Sequence, residues 1–162
     1  MIAIGFTSGL DSIAYSVVEV SVEFEVLRFE VMAGPRKKRD VTPVRRYKAH
    51  KLMFDIIFDR WPPGVIALGP PSSSDESLES VVLMRTAMFE LGRSLRVPTV
   101  LFDRDEDLGR GLGARDLSRG NGLKSLVKRR IDSFSSNKKR VVLATATAVA
   151  GALHIVGDKE TL

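Results

Sequence analysis

Met1-Ile2-Ala3-Ile4-Gly5-Phe6-Thr7-Ser8-Gly9-Leu10-Asp11-Ser12-Ile13-Ala14-Tyr15-Ser16-Val17-Val18 opens the chain. An apolar run reaches a short polar turn, and a second apolar run follows at once. That pattern predicts a strand, a tight turn and an antiparallel strand. Beyond it, Val22, Phe24 and Val26 alternate with acidic residues, as a half-buried strand does. Leu27, Phe29 and Val31 alternate in the other phase, so the slip at Val26-Leu27 predicts a bulge or a change of buried face. Ala33-Gly34-Pro35 ends this third strand.

Thr42-Pro43 predicts a helix start, with proline at the first helical position. Tyr47, His50 or Lys51, Phe54, Ile57 and Phe58 then recur at helical spacing, up to Trp61-Pro62-Pro63-Gly64. Val65-Ile66-Ala67-Leu68 is a short, wholly apolar run of the kind buried parallel strands use. Ser73 and Glu76 fit a capping box for an amphipathic helix from about Asp75 to Leu95. Val97 to Phe102 reads as a fifth strand. The glycine-rich, charged stretch from Asp103 to Gly122 reads as a mobile loop, and Leu123 to Phe134 as a basic helix. A small-residue helix from about Arg140 to Val156 closes a single domain spanning residues 1–162.

The order β-β-β-α-β-α-β-α-α, with the turn Gly5-Phe6-Thr7-Ser8-Gly9, resembles the RNase H-like superfamily and, within it, the RuvC Holliday-junction resolvases. The resemblance implies an α/β fold: a mixed five-stranded sheet, three antiparallel strands then two parallel, with helices on both faces. In those resolvases the first turn reads Gly-x-Asp-x-Gly, and its Asp binds the catalytic magnesium. Here that position is Thr7, and Tyr15 falls where the family usually has an aromatic residue. Pro63-Gly64-Val65-Ile66-Ala67 is similar to the family's fourth strand, which ends in a catalytic Glu; here it ends in Leu68-Gly69. The family's last helix carries two Asp three residues apart. Here the run Leu143-Ala144-Thr145-Ala146-Thr147-Ala148-Val149-Ala150 has no carboxylate. Neutral hydroxyls do not replace carboxylates around a hard dication, and two-metal phosphodiester cleavage needs several. The resemblance therefore implies the family's fold without its metal site.

Composition agrees with a globular domain, 44% hydrophobic and 28% charged. No cysteine is present, which excludes disulfides, zinc-thiolate sites and cysteine nucleophiles. Gln is absent and Asn occurs only at Asn121 and Asn137; beside abundant charge, this depletion of thermolabile amides points to a thermophilic protein. The N-terminus shows neither a basic lead-in nor a cleavage site, so a cytoplasmic location is expected. Val141 to Val156 is shorter than the roughly 20 residues of a membrane span and holds Thr145, Thr147, Gly151 and His154; it reads as a core helix, with no membrane partner.

The net charge of +5 is unevenly spread. Eight Lys or Arg and one acid lie between Arg36 and Lys51, and eleven Lys or Arg and five acids between Arg104 and Arg140. Such polarisation favours a polyanion partner. Candidate phosphate contacts are Arg36, Lys37, Lys38, Arg39, Arg45, Arg46, Arg110, Arg115, Arg119, Lys128, Arg129 and Arg130. Lys and Arg neutralise a nucleic-acid backbone without reading sequence; the plainer reading is a solvated surface.

The weak catalytic candidates are Asp11, Asp103 and Asp105. Asp11 reads equally as a turn residue bonded to its own backbone. Asp103 and Asp105 follow the fifth strand, where open α/β sheets bind ligands, or form an acidic turn facing Arg104 and Arg110. Ser72-Ser73-Ser74 before a helix suits capping better than phosphate, because Asp75 and Glu76 share its first turn. Gly109-Arg110-Gly111-Leu112-Gly113 lacks the strand-to-helix context of a dinucleotide fingerprint. His50 and His154 have no companion at ligand spacing.

Three functions follow as expectations. The first is a non-catalytic RuvC-like protein that binds duplex or branched DNA through basic segments, needs no cofactor and, by analogy with the family, forms a homodimer. The second is a magnesium-dependent, structure-specific endonuclease with a carboxylate site relocated to Asp11, Asp103 and Asp105. The third is a protein-interaction module on a relic nuclease fold.

Overall fold

The computed structural model describes residues 1–10, 12–33, 42–71, 77–114 and 122–160, the side chains of 33 and 158–160 apart. Five strands form one sheet in the order β3-β2-β1-β4-β5. β1 (Ile2–Phe6), β2 (Ser12–Val20) and β3 (Phe24–Ala33) are antiparallel neighbours; β4 (Val65–Leu68) and β5 (Thr99–Leu101) run parallel to β1. The expected slip is present. Val17 pairs with Arg28 and Val18 with Val26, which leaves Leu27 as the extra residue of a bulge in β3.

Both faces of the sheet are covered. α1 (Pro43–Arg60) and α2 (Leu78–Leu95) pack on one face, where Ile4, Phe6, Ile66 and Leu68 meet Phe54, Ile57, Met84 and Met88. On the other face lie α3 (Asp105–Gly111), α4 (Leu123–Arg130) and α5 (Lys139–Glu160), around Ala3, Val65, Ala67, Leu108, Val127 and Val149. Strands covered on both sides must be apolar throughout, which is why β1 and β4 lack alternation. α5 is the one described helix long and apolar enough to cross a membrane; here it is the core helix the sequence predicted. Ala144, Ala146, Ala148 and Ala150 are fully buried. Its backbone lies directly on β1: a Cβ at Gly5 would stand 2.2 Å from the Ala144 carbonyl oxygen.

The stretch after β5 departs from expectation. It is no mobile loop at its start, because α3 occupies it. Asp105, Glu106 and Asp107 fill the helix's first turn, where the macrodipole favours acids. Leu108 and Leu112, four apart, bury against α5. The glycines that suggested a loop allow this close packing; a Cβ at Gly111 would lie 3.1 Å from the Ala150 Cβ. α4 is also shorter than predicted, ending at Arg130 rather than Phe134, although Ile131 and Phe134 remain buried. The α2 N-cap is Ser77, whose hydroxyl accepts the Ser80 N–H at 3.2 Å. The expected capping residues Ser73 and Glu76 lie outside the described residues. Thr42 caps α1 as predicted, accepting from the Arg45 N–H.

Candidate functional site at the strand ends

β1 and β4 are parallel neighbours, so their carboxyl ends deliver Thr7 and Gly69 to the same edge of the molecule. α5 runs against them, and its first turns reach that edge. Thr7 is 5% exposed. Its N–H donates to the Ala14 carbonyl, and its Oγ1 accepts the Ala14 N–H, both at 2.9 Å. The hydroxyl therefore closes the hairpin. Ser8 Oγ donates to the Pro70 carbonyl at 3.1 Å and ties this turn to the segment after β4. Thr147 Oγ1 donates to the Leu143 carbonyl at 2.7 Å, and a Cβ at Gly69 would meet that Oγ1 at 3.0 Å. Leu68 points into the α1/α2 core.

These positions hold a hydroxyl committed to backbone, a glycine, a core leucine and a second committed hydroxyl. Among the described residues no three His, Cys, Asp or Glu side chains gather as a metal site. The catalytic magnesium that the family resemblance implies does not fit this donor set, since such an ion needs convergent carboxylates.

Beside the strand ends lies a cleft of about 730 Å³ lined by Pro70, Pro71, Asp103–Glu106, Gly122–Lys124, Asn137, Lys139, Val142 and Leu143. Asp103 and Asp105 are thus brought together, as their place after β5 suggested. Asp103, however, is bound to Arg85 Nη2 at 2.5 Å, and Arg85 Nη1 also holds the Phe102 carbonyl at 3.0 Å. Asp107 turns to Arg104 and Arg110, each at 3.5 Å. Asp11 lies outside the described residues.

Among the candidate phosphate contacts, Arg45 and Arg110 are exposed and Arg46 is half-buried. Lys128, Arg129 and Arg130 are exposed in the last turn of α4, where they also complement its C-terminal dipole. Arg36, Lys37, Lys38, Arg39, Arg115 and Arg119 lie outside the described residues. Sequence reading missed Lys124, Lys139 and Arg140. The signal was the run Lys138-Lys139-Arg140 opening an otherwise apolar helix. Lys124 Nζ donates to Asn137 Oδ1, and Arg140 clamps the carbonyl and hydroxyl of Ser12.

His50 is buried, with Nε2 2.9 Å from the Leu10 carbonyl, and so braces the hairpin turn. Tyr15 donates to Glu30 at 3.0 Å. Burial, and then the Glu30 carboxylate, push its phenol above the usual range. His154 lies in a second cavity of about 690 Å³, between β5, α3 and the end of α5, with Asp107 and Arg110.

No protein-family model and no curated protein sequence matches this chain. Solved structures do. Thermus thermophilus RuvC superposes with a TM-score of 0.81 at 14% identity, over 98% of this chain and 97% of that one. The fold is that of RuvC. RuvC of the same organism in complex with a Holliday junction gives 0.73 at 15% identity, over 97% and 96% of the two chains. Fowlpox virus resolvase, in complex with its substrate Holliday junction, gives 0.50 at 7% identity, over 98% and 99%. The likeness to RuvC spans almost the whole of both chains, yet the strand-end positions carry none of the acids expected of a RuvC-like nuclease.

Proposed function

We propose that this chain is a non-catalytic RuvC-like protein that binds nucleic acid, as duplex or branched DNA, through its basic side chains, and that it works as a homodimer without a metal cofactor. One observation carries the reading: a RuvC fold whose strand-end positions are neutral, with the Thr7 and Thr147 hydroxyls bonded to backbone. The exposed Arg45, Lys128, Arg129 and Arg130 supply sequence-independent phosphate contacts. The RuvC and poxvirus resolvase structures that hold Holliday junctions support nucleic acid as the partner.

Labelled four-way junctions and duplexes, with Mg²⁺ or Mn²⁺, test it. Retardation at low salt without cleavage is expected. Cleavage that Asp103→Asn abolishes would overturn it and favour a relocated endonuclease site, which Asp103 and Asp105 support by sharing one cleft. If neither DNA binds at low salt, the chain is instead a protein-interaction module.

A further inference from the structure

We propose that the strand-end cleft seats a nucleic-acid phosphate directly on Lys124 and Lys139, so that protein-borne cations do there what dications do in a two-metal nuclease. The inference rests on the nucleic-acid reading above and names where and how the strand is held.

The cleft has three surfaces. Pro70, Pro71, Leu123, Val142 and Leu143 give an apolar floor. Its acids come from one short segment, Asp103 to Glu106, and the Asp103 carboxylate is already bound to Arg85. Lys124 and Lys139, with Asn137 between them in sequence, form the facing wall. Carboxylates confined to one wall, opposite two ammonium groups, cannot enclose a dication: the lysines would repel it. An anion fits the same charges. Asp105 and Glu106 repel a phosphate from their own side and hold it against the lysine wall.

Lys124 is preset for this. Its Nζ donates to Asn137 Oδ1, which joins the start of α4 to the segment entering α5. An ammonium has three donors and Asn137 takes one, which leaves capacity for phosphate oxygens. Lys139 opens α5, and Arg140 beside it is anchored on Ser12, so the lysine wall is braced against the hairpin. The apolar floor suits the sugar and base next to a seated phosphate.

The test is anisotropy of labelled duplex and four-way junction with the full chain, in Mg²⁺ and in EDTA, across a salt series. Binding should be equal with and without Mg²⁺. The double variant Lys124→Gln/Lys139→Gln should weaken it about tenfold and lower the salt slope by roughly 2, while Lys124→Arg/Lys139→Arg restores it. Circular dichroism melts establish that each variant folds. Lys128→Gln/Arg129→Gln/Arg130→Gln is the comparison. If that triple variant loses binding while the Lys124/Lys139 variant does not, the cleft seat is overturned and nucleic-acid binding stands. A requirement for Mg²⁺ also overturns the seat. Failure of the wild-type chain to bind either DNA overturns both readings.

Discussion

Gly5 is the residue on which the architecture presses hardest. A methyl there would stand 2.2 Å from the Ala144 carbonyl and 2.4 Å from the Ala148 nitrogen, both backbone atoms of α5. Neither can move without lifting the helix off β1. Gly5→Ala is therefore expected to cost about 3 kcal/mol, read as a lowered urea midpoint; an unchanged midpoint would mean that α5 lies farther from the sheet. Two tyrosines, Tyr15 and Tyr47, offer a pH test. Burial raises both above 10.0, helped by Glu30 at Tyr15 and Asp55 at Tyr47. A folded value above the unfolded one means that the fold favours the neutral phenol. The stability this lends is complete below about pH 10 and is lost as pH rises through the raised values. Phenolate absorbance should accordingly appear at higher pH in the folded chain than in urea. Coincident curves would contradict the burial of both rings.

At the scale of elements, β3 and α3 show what periodicity can and cannot carry. The phase slip at Val26-Leu27 was legible because side chains alternate strictly along a strand, and one extra residue must break the count. Leu27 is that residue, and it is 39% exposed. Its deletion should leave Val26 opposite Val18 and Arg28 opposite Val17, with every other side chain on its present face. The expected cost is about 1 kcal/mol or less, with an unchanged denaturant slope; loss of cooperative unfolding would show that the bulge fixes the register. α3 was illegible for a different reason. Its seven residues include two glycines, a composition that locally favours a loop. What makes it a helix is the pocket that α5 offers to Leu108 and Leu112, a tertiary contribution that outweighs propensity. β4 was readable to the residue because a strand covered on both faces has to be apolar without interruption.

For the molecule as a whole, the sheet with its two cores leaves one helix surface unpaired among the described residues. Leu78, Val82 and Phe89 are spaced along α2 with half or more of their surface exposed. If the chain is a homodimer, this strip is where an apolar contact would form. Light scattering should then give twice the chain mass at micromolar concentration, and Phe89→Glu should halve it while leaving the helical signal intact. A wild-type chain that is monomeric throughout would remove the dimer from the proposed function. The order of elements, the opening hairpin, the bulge, the core helix and the absence of acids at the expected positions were all determined by the sequence, because each is a matter of local pattern or residue identity. Only the tertiary structure decided what replaced those acids. It gave the Thr7 and Thr147 hydroxyls to backbone partners, bound Asp103 to Arg85, and brought Lys124 and Lys139 to one cleft. Fifteen residues separate those lysines in the chain, and only the packing of α4 and α5 on a common sheet face puts them side by side.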